Sequence, residues 1–406
     1  MFAYIDPGTG SMLFSILIGI ATASVFLFRS LISKVGILIH GGSKQKSVDK
    51  YSYVVFSDSK RYWNVFKPIC DEFEKRGEEL QYWTMSPDDP ALSEKYKHVH
   101  AVFIGEGNTA FAKLNAMKAD ICLSTTPGLD VYQWKRSKTT GFYVHITHDV
   151  CAVTGYRMFG LDYYDSVLIP GSHLEKELRM IEDLRKLPHK EVRVVGSTYM
   201  DGLREKAAKH KSEKHEGINV LVAPSWGDSS ILNKFGSSFL NSLMDAGFHV
   251  IVRPHPQSLI SDKEMIERLQ KEFPESDRVE WNFDNDNFNV LSRSDIMISD
   301  FSGVIFDFVF TFGRPVIYAN TEINLAPYDD AWLEEKTWRL RVLPELGRQL
   351  EESEFGNLKN IITDMISDES YKKKLSEISD YTWQFKGESA VKTVDYLIEK
   401  RGQLNG

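Results

Sequence analysis

Short apolar runs alternate with amphipathic stretches along most of this chain, and the alternation starts twice. The first set of predicted strands lies at residues 53–56, 80–84, 100–104, 121–124, 141–146, 167–170 and 192–196. After a charged stretch at 204–217, a second set follows at 219–223, 249–252, 279–281, 296–298 and 315–318. Strands separated by helical stretches form parallel sheets with helices on both faces. The sequence therefore predicts an α/β protein with two Rossmann-like, doubly wound domains that face a cleft.

These patterns divide the 406-residue chain into four predicted segments, and its length is sufficient for two domains. The segments are a membrane anchor with its tether at 1–40, a first Rossmann-like domain at 41–205, a second at 206–385 and a C-terminal helix at 386–406.

The predicted anchor is a single helix near residues 11–28, a stretch without any charged side chain. Eighteen such positions are the lower end of what spans a bilayer as a helix. Four basic residues follow between positions 29 and 46, so the positive-inside rule predicts a single-pass protein of the cell membrane with its long C-terminal part in the cytoplasm. A cleaved signal peptide and an interfacial or re-entrant anchor are the alternatives. A signal peptide usually has a basic start and an interfacial helix a charged face, and both features are missing here.

Composition limits the partners. The 49 basic residues against 57 acidic ones give a net charge of −8, which argues against a nucleic-acid partner. The cysteines Cys70, Cys122 and Cys151 are scattered without a CxxC spacing, which argues against a disulfide framework and a thiolate zinc site. The sequence leaves the oligomeric state open.

The loop after strand 141–146 contains the first candidate catalytic group. His148 stands where the loop opens, beside Asp149, and a histidine there can act as a general base near neutral pH. His145 lies on the strand itself. A structural histidine and half of a metal site with His145 are the alternatives, but no HExxH pattern supplies a third ligand, so no metal site is predicted.

Two further polar segments follow strands of the second set. In the Arg-Pro-His-Pro segment, Arg253 can clamp a phosphate bidentately and His255 can donate a hydrogen bond to it. The segment at 299–303, Ser-Asp-Phe-Ser-Gly, leads from a strand into a predicted helix. Helix N-termini bind phosphate through their amides, although the same residues can serve simply as a helix cap worth roughly 1 kcal/mol.

The predicted site therefore draws on both halves of the chain. Its catalytic candidates are His148 and His255, its donor phosphate and nucleotide candidates are Ser225, Arg253, Ser299, Asp300, Ser302 and Gly303, and its secondary candidates are His145, Asp149 and Asp307. Asp307 is assigned to positioning or structure, because a carboxylate repels phosphate. Ser225, beside Trp226, can line a nucleotide pocket or belong to an ordinary strand-to-helix loop.

The segments Ala-Pro-Ser-Trp, Arg-Pro-His-Pro and Asp-Phe-Ser-Gly-Val-Ile-Phe-Asp-Phe, in this order between 219 and 320, resemble the C-terminal domain of the CDP-glycerol glycerophosphotransferases, the teichoic-acid primases and polymerases. The resemblance implies a GT-B-like fold. It also implies transfer of glycerol phosphate or ribitol phosphate from a CDP-polyol to a lipid-linked or glycan acceptor hydroxyl, in synthesis of a teichoic acid-like or capsule polymer. The first domain would then bind the acceptor and the second the nucleotide donor.

On this resemblance His148 matches the family's base, and His255 and Ser302 match groups that hold the donor pyrophosphate. Two segments differ from the family: Thr147, Asp149 and Val150 surround His148 where Trp-His-Gly-Thr is usual, and Gly227 stands where an arginine is usual. A sugar-nucleotide glycosyltransferase, a UDP-GlcNAc-type epimerase and an inactive membrane-tethered scaffold are the alternative functions. No cofactor is assigned, and a requirement for Mg²⁺ stays open.

Overall fold

The computed structural model describes residues 50–210, 217–284 and 286–406. The predicted membrane helix at 11–28 and its tether lie outside these residues. Within the described ranges, none of the helices has both the length and the apolar character needed to cross a bilayer. Residues Lys50–Gly406 form one compact unit.

The described residues form two parallel sheets. The first contains β1 (Tyr51–Ser57), β2 (Leu80–Thr84), β3 (Val99–Phe103), β4 (Ala119–Ser124), β5 (Thr140–Ile146), β6 (Ser166–Ile169) and β7 (Glu191–Val194), in the order β3-β2-β1-β4-β5-β6-β7. The second contains β8 (Asn219–Val222), β9 (His249–Val252), β10 (Val279–Trp281), β11 (Ile296–Ser299), β12 (Val316–Ala319) and β13 (Arg348–Leu350), in the order β10-β9-β8-β11-β12-β13. The predicted α/β class with parallel sheets is confirmed.

Helices cover both faces of each sheet. They are α1 (Trp63–Arg76), α2 (Gly107–Asn115), α3 (Glu175–Arg185), α4 (Thr198–Lys209), α5 (Ile231–Lys234), α6 (Gly236–Ala246), α7 (Ser258–Ser261), α8 (Lys263–Glu272), α9 (Phe288–Ser292), α10 (Val304–Phe312), α11 (Trp338–Arg341), α12 (Leu343–Leu346), α13 (Leu358–Ser367), α14 (Tyr371–Thr382) and α15 (Ser389–Asn405). Short 3-10 helices lie at Lys60–Tyr62, Pro90–Ser93, Ser172–Leu174, Asp329–Trp332 and Glu352–Asn357.

The side chains of β8 show why both faces must be covered. Val220 and Val222 belong to the apolar core on one side of the second sheet, while Leu221 and Ala223 belong to the core on the other side. Successive strand residues point to opposite faces, so a continuous apolar run needs a helix layer on each side.

Two further segments follow the sheets. The charged stretch that begins at 204 starts with the end of α4, and the side chains of residues 204–209 are mostly exposed. A helix, α15, lies within the predicted C-terminal segment at 386–406, and α14, which precedes it, packs on a different sheet. In α14, the Tyr371 hydroxyl donates to the Gly313 carbonyl of the second sheet's layer at 3.4 Å, whereas in α15 the Tyr396 hydroxyl donates to Ser166 of β6 at 2.7 Å.

A buried ion cluster joins the segment after β12 to the first sheet's layer. The Asp329 carboxylate accepts the amides of Phe159 and Gly160 at 2.8 and 3.1 Å and pairs with Arg185 of α3. Arg185 also pairs with Asp162 at 2.6 Å. The predicted division at residue 205 stays a prediction, and the observed contacts tie the two layered halves together.

Candidate active site

A cleft lies where the carboxyl ends of strands from both sheets face each other. It contains two adjacent chambers of about 500 and 650 Å³. Both chambers are lined by His148, Asp149, His255, Ser302 and Gly303. The first chamber is also lined by Arg253 and Asp307, and the second by Ser225. Candidate residues taken from four separate segments of the sequence therefore line one cleft.

His148 follows β5, and two tyrosines flank its ring. The ring centroids of Tyr62 and Tyr156 lie 5.2 and 6.1 Å from that of His148, and Nδ1 lies 3.4 Å from the Thr125 hydroxyl. Its Nε2 lies 3.7 Å from Asp149 Oδ2, and the side chain is 31% exposed. His148 thus has a fixed ring and access to the cleft, as a general base requires.

Asp149 shapes this loop. Its Oδ1 accepts the amides of Cys151 and Ala152 at 2.9 and 3.2 Å, which leaves Oδ2 directed toward His148. A carboxylate oxygen therefore lies beside the His148 imidazole.

His255 is a neutral hydrogen-bond donor. Burial and the nearby charges of Arg61 and Arg253 lower its pKa to about 4. Its Nδ1 accepts the Gln257 amide at 3.1 Å, so the single ring proton is on Nε2. A neutral imidazole with this tautomer can donate to a phosphate oxygen without changing its charge.

The turn before α10 places amides at the cleft. Ser302, Gly303 and Val304 line the first chamber, and among the described residues their amides donate to no protein acceptor. α10 is nine residues long, and the positive end of its dipole is directed at this lining. Amides at such a helix start suit an anion.

Ser299 and Asp300 require a correction, because they lie behind the cleft lining rather than in it. The Ser299 hydroxyl donates to the Ala223 carbonyl at 2.6 Å. Asp300 is buried and accepts the amides of Ser225 and Ile231 at 2.9 and 3.0 Å. Burial raises the pKa of Asp300. Both side chains are used to join the loops after β8 and β11, so they support the site without facing a ligand.

Arg253 is less available than the sequence implies. Its guanidinium donates to the Asn282 side chain and, at 2.8 Å, to the Asp284 carbonyl. Burial lowers its pKa. Arg253 therefore supplies positive charge to the first chamber, but only part of its guanidinium group remains free to donate hydrogen bonds to a ligand.

His145 lies beneath the site. It is fully buried, its Nε2 is 3.1 Å from the Tyr156 hydroxyl, and burial lowers its pKa to about 3. It therefore supports Tyr156, which in turn contacts His148. Across the described ranges, no group of three or more His, Cys, Asp or Glu side chains is arranged to hold a metal ion.

Asp307 has an unusual environment on the first turn of α10. Its carboxylate accepts hydrogen bonds from the Tyr199 hydroxyl at 3.0 Å and from the side-chain amide of Asn287 at 3.4 Å. Burial, together with the charge of Asp149, raises its pKa to about 7. A carboxyl group that is partly protonated at neutral pH repels a bound phosphate less than an ionised one does.

The sequence analysis missed several residues that line the cleft. They are Lys60, Arg61, Tyr62, Tyr199, Asn287, Tyr156 and Arg339. Residues 60–62 lie in the loop after β1, and Tyr156 lies with His148 in the loop after β5, so the rule that ligands bind at strand ends could have identified them. Tyr199 and Arg339 lie on α4 and α11, and Asn287 directly precedes α9; no local pattern marks these three.

The second half of the chain matches a known protein family. The model for "CDP-Glycerol:Poly(glycerophosphate) glycerophosphotransferase" matches residues 172–397, more than half of the chain. The chain belongs to this family. The match includes the glycerophosphotransferase segments around Arg253, His255 and Ser302, whereas His148 and the loop after β1 precede it. No curated protein sequence matches the chain.

Solved structures share the fold of this glycerophosphotransferase-family chain. The wall teichoic acid polymerase TagF aligns with a TM-score of 0.58 at 14% identity, covering 93% of this chain and 98% of that one. UDP-GlcNAc 2-epimerase from Neisseria meningitidis, bound to UDP-GlcNAc, aligns with a TM-score of 0.52 at 16% identity, covering 86% and 100%. The S. aureus MnaA–UDP structure aligns at 0.56 and 15%, covering 87% and 97%. At these identities the matches establish a GT-B-like fold alone.

Proposed function

We propose that this protein transfers a polyol phosphate, glycerol phosphate or ribitol phosphate, from a CDP-polyol to an acceptor hydroxyl in the synthesis of a cell-surface polymer. The observation that carries the proposal is the meeting of His148 with His255, Ser302 and Gly303 in the lining of both chambers. One side offers a base, and the other offers neutral and amide donors suited to a diphosphate. Membership in the glycerophosphotransferase family supports the choice of a CDP-polyol donor.

The donor pyrophosphate would lie against the start of α10. The amides of Ser302, Gly303 and Val304 and the Nε2–H of His255 would hydrogen-bond its oxygens, and Arg253 would add charge. The three amides are fixed before the ligand arrives, because Asp300 joins the turn that carries them to the loop after β8. Preorganised donors stabilise the charge that develops on a departing nucleotide.

The reaction is a single displacement at the β-phosphorus. His148 takes the proton of the acceptor hydroxyl, and the hydroxyl oxygen bonds to the β-phosphorus. The bond from this phosphorus to the bridging oxygen breaks, so CMP leaves with that oxygen and the acceptor gains a phosphodiester. Catalysis then depends mainly on positioning and on fixed hydrogen-bond donors.

We also propose that residues 11–28 anchor the protein in the cell membrane with the cleft on the cytoplasmic side. The uncharged stretch and the basic residues after it support this orientation. An anchored enzyme would meet an acceptor linked to a lipid in the same membrane.

A ligand panel and a transfer assay test the function. CDP-glycerol, CDP-ribitol, UDP-GlcNAc and a no-ligand control are compared by thermal stability; a CDP-polyol should raise the midpoint most. The His148→Ala variant should still bind the donor but lose transfer by at least about 100-fold, since general bases contribute 10²–10⁴-fold. Stabilisation by UDP-GlcNAc alone would favour sugar-nucleotide chemistry, and stabilisation by none of them would favour the scaffold role.

A further inference from the structure

We propose that Tyr156 is a further catalytic residue, whose hydroxyl donates a hydrogen bond to a non-bridging oxygen of the phosphoryl group in transfer. The proposal rests on the function proposed above and adds one group to its site. Tyr156 lies in the loop between β5 and β6, is partly exposed and lines the second chamber together with His148. Its ring centroid lies 6.1 Å from that of His148.

The buried imidazole of His145 decides which way the hydroxyl proton of Tyr156 points. Burial lowers the pKa of His145 to about 3, so its ring is neutral at neutral pH and has a single N–H. Its Nε2 lies 3.1 Å from the Tyr156 hydroxyl, whereas its Nδ1 has no hydrogen-bond partner among the described residues. A proton on Nδ1 would be a buried donor without an acceptor, and such donors are rarer in proteins than unmatched acceptors. The proton is therefore on Nε2, which donates a hydrogen bond to the tyrosine oxygen.

This arrangement leaves the Tyr156 hydroxyl with a proton and no protein acceptor for it. In the part of the chain that the structure describes, the hydroxyl has no hydrogen-bond partner other than His145. Because His145 is the donor of that bond, the O–H is directed away from its ring and toward the chamber. Burial raises the pKa of Tyr156 well above that of an exposed tyrosine, so the hydroxyl keeps its proton. Tyr156 is therefore a fixed, neutral donor beside the proposed base.

The phosphoryl group is the part of the substrates that suits this donor. During transfer, its phosphorus joins the acceptor oxygen at His148 to the pyrophosphate at Ser302 and Gly303, and these three residues line the second chamber with Tyr156. A fixed hydrogen-bond donor stabilises the negative charge on the non-bridging oxygens. A hydrogen bond donated to the acceptor oxygen would instead weaken it as a nucleophile. The tyrosine on the side of the base thus complements the amides on the side of the nucleotide.

Transfer kinetics with Tyr156→Phe in the full chain test the proposal, with CDP-glycerol as donor and a short oligo(glycerol phosphate) as acceptor. The variant should lower kcat at least about tenfold, as expected for loss of a hydrogen bond to a charged group, and leave the Kd for CDP-glycerol unchanged. Tyr163→Phe removes an exposed hydroxyl from the same loop and should change neither value. Equal kcat in Tyr156→Phe and wild type, or weaker donor binding at the same kcat, would overturn the role of Tyr156.

A sulfur substitution separates a direct contact from a disturbed loop. In two diastereomers of the donor, one or the other non-bridging oxygen of the β-phosphate is replaced by sulfur, a weaker hydrogen-bond acceptor. Wild type should react more slowly with one diastereomer than with the other, and Tyr156→Phe should reduce this ratio. A variant that slows both diastereomers equally, with the ratio of wild type, would overturn the contact.

A double-mutant cycle tests His145 as the positioning residue. His145→Leu should lower kcat in the presence of Tyr156 and have little further effect in Tyr156→Phe, because the two residues act through one hydroxyl. His145→Gln, whose amide can also donate to Tyr156, should keep more activity than His145→Leu. Additive losses would overturn the coupling. Wild-type protein that binds CDP-glycerol but transfers to no acceptor would overturn the proposed function itself, whereas normal transfer by Tyr156→Phe would overturn this inference alone.

Discussion

Two histidines near the cleft, one from each sheet, show how their surroundings give one residue type two roles. His145 is fully buried and neutral, and it contacts the Tyr156 hydroxyl instead of the cleft. His255 is also neutral, but its Nδ1 is occupied by a backbone amide and its Nε2–H remains to serve a ligand. Neither histidine gains a proton near pH 7, so we assign the proton transfer of the proposed reaction to His148.

Acid should destabilise the protein through His145. Its pKa is about 3 in the folded chain, well below the value of about 6.5 for an exposed histidine, so the unfolded state takes up a proton first as pH falls. The contribution of neutral His145 to the free energy of unfolding is complete above pH 6.5 and is lost progressively between pH 6.5 and 3. At pH 5 the free energy of unfolding is lower by about 2 kcal/mol.

Denaturant unfolding at pH 7.5 and pH 5 measures this loss. The His145→Gln variant should lose less stability than wild type between the two values, whereas His189→Gln, at an exposed position, should follow wild type. Equal losses in wild type and His145→Gln would contradict the assignment.

At the scale of single elements, the start of α10 depends on the loop behind it. Asp300 joins this turn to the loop after β8 through backbone amides, and Ser299 adds a hydrogen bond to Ala223. The residues proposed to bind the donor are thus held by residues that do not line the cleft. A helix start can present its amides usefully only where such support keeps it still.

Removing this support should affect both stability and donor binding. Asp300→Ala leaves buried amides without an acceptor and should lower the free energy of unfolding by about 3 kcal/mol. Affinity for CDP-glycerol should fall as well, because the α10 amides lose their fixed position. Calorimetry and chemical unfolding measure the two effects. Asp245→Ala, on the exposed side of α6, should change stability by less than about 0.5 kcal/mol. Full donor affinity in a destabilised Asp300→Ala protein would argue that the amides do not bind the donor.

At the scale of the whole molecule, the ion cluster around Arg185 joins the two layered halves. Arg185 lies between Asp162 and Asp329, and its guanidinium packs on the rings of Phe159 and Trp332 at 4.8 and 4.9 Å. Because the cleft is formed by both halves, its width depends on ties of this kind.

Breaking the cluster should uncouple the halves. Asp329→Asn leaves the buried Arg185 charge with less compensation and should cost about 3 kcal/mol. Scanning calorimetry should show a lower and broader transition, or two separate ones. Asp183→Asn, which breaks a surface pair with His189, should cost less than about 1 kcal/mol. A single sharp transition at the wild-type midpoint in Asp329→Asn would show that other contacts hold the halves together.

Much of this arrangement follows from local sequence patterns, and the exceptions have physical reasons. Apolar runs mark the buried strands. Because ligands bind at the carboxyl ends of parallel strands, the positions of His148 and His255 after β5 and β9 predict that both line one cleft. β13 escaped prediction because Arg-Gln-Leu has no apolar run and lies at a sheet edge. The inward direction of Ser299 and Asp300 depends on the loop after β8, which is distant in sequence, so the residues next to them in the chain could not predict it.

The return of α15 to the first sheet affects how the molecule is made. Val394, Tyr396 and Leu397 complete the apolar core that also contains Val55 and Phe66. A ribosome releases the amino-terminal strands long before α15, so the nascent first half has an open apolar face until that helix has emerged. Expression of residues 50–205 alone would leave that face permanently uncovered.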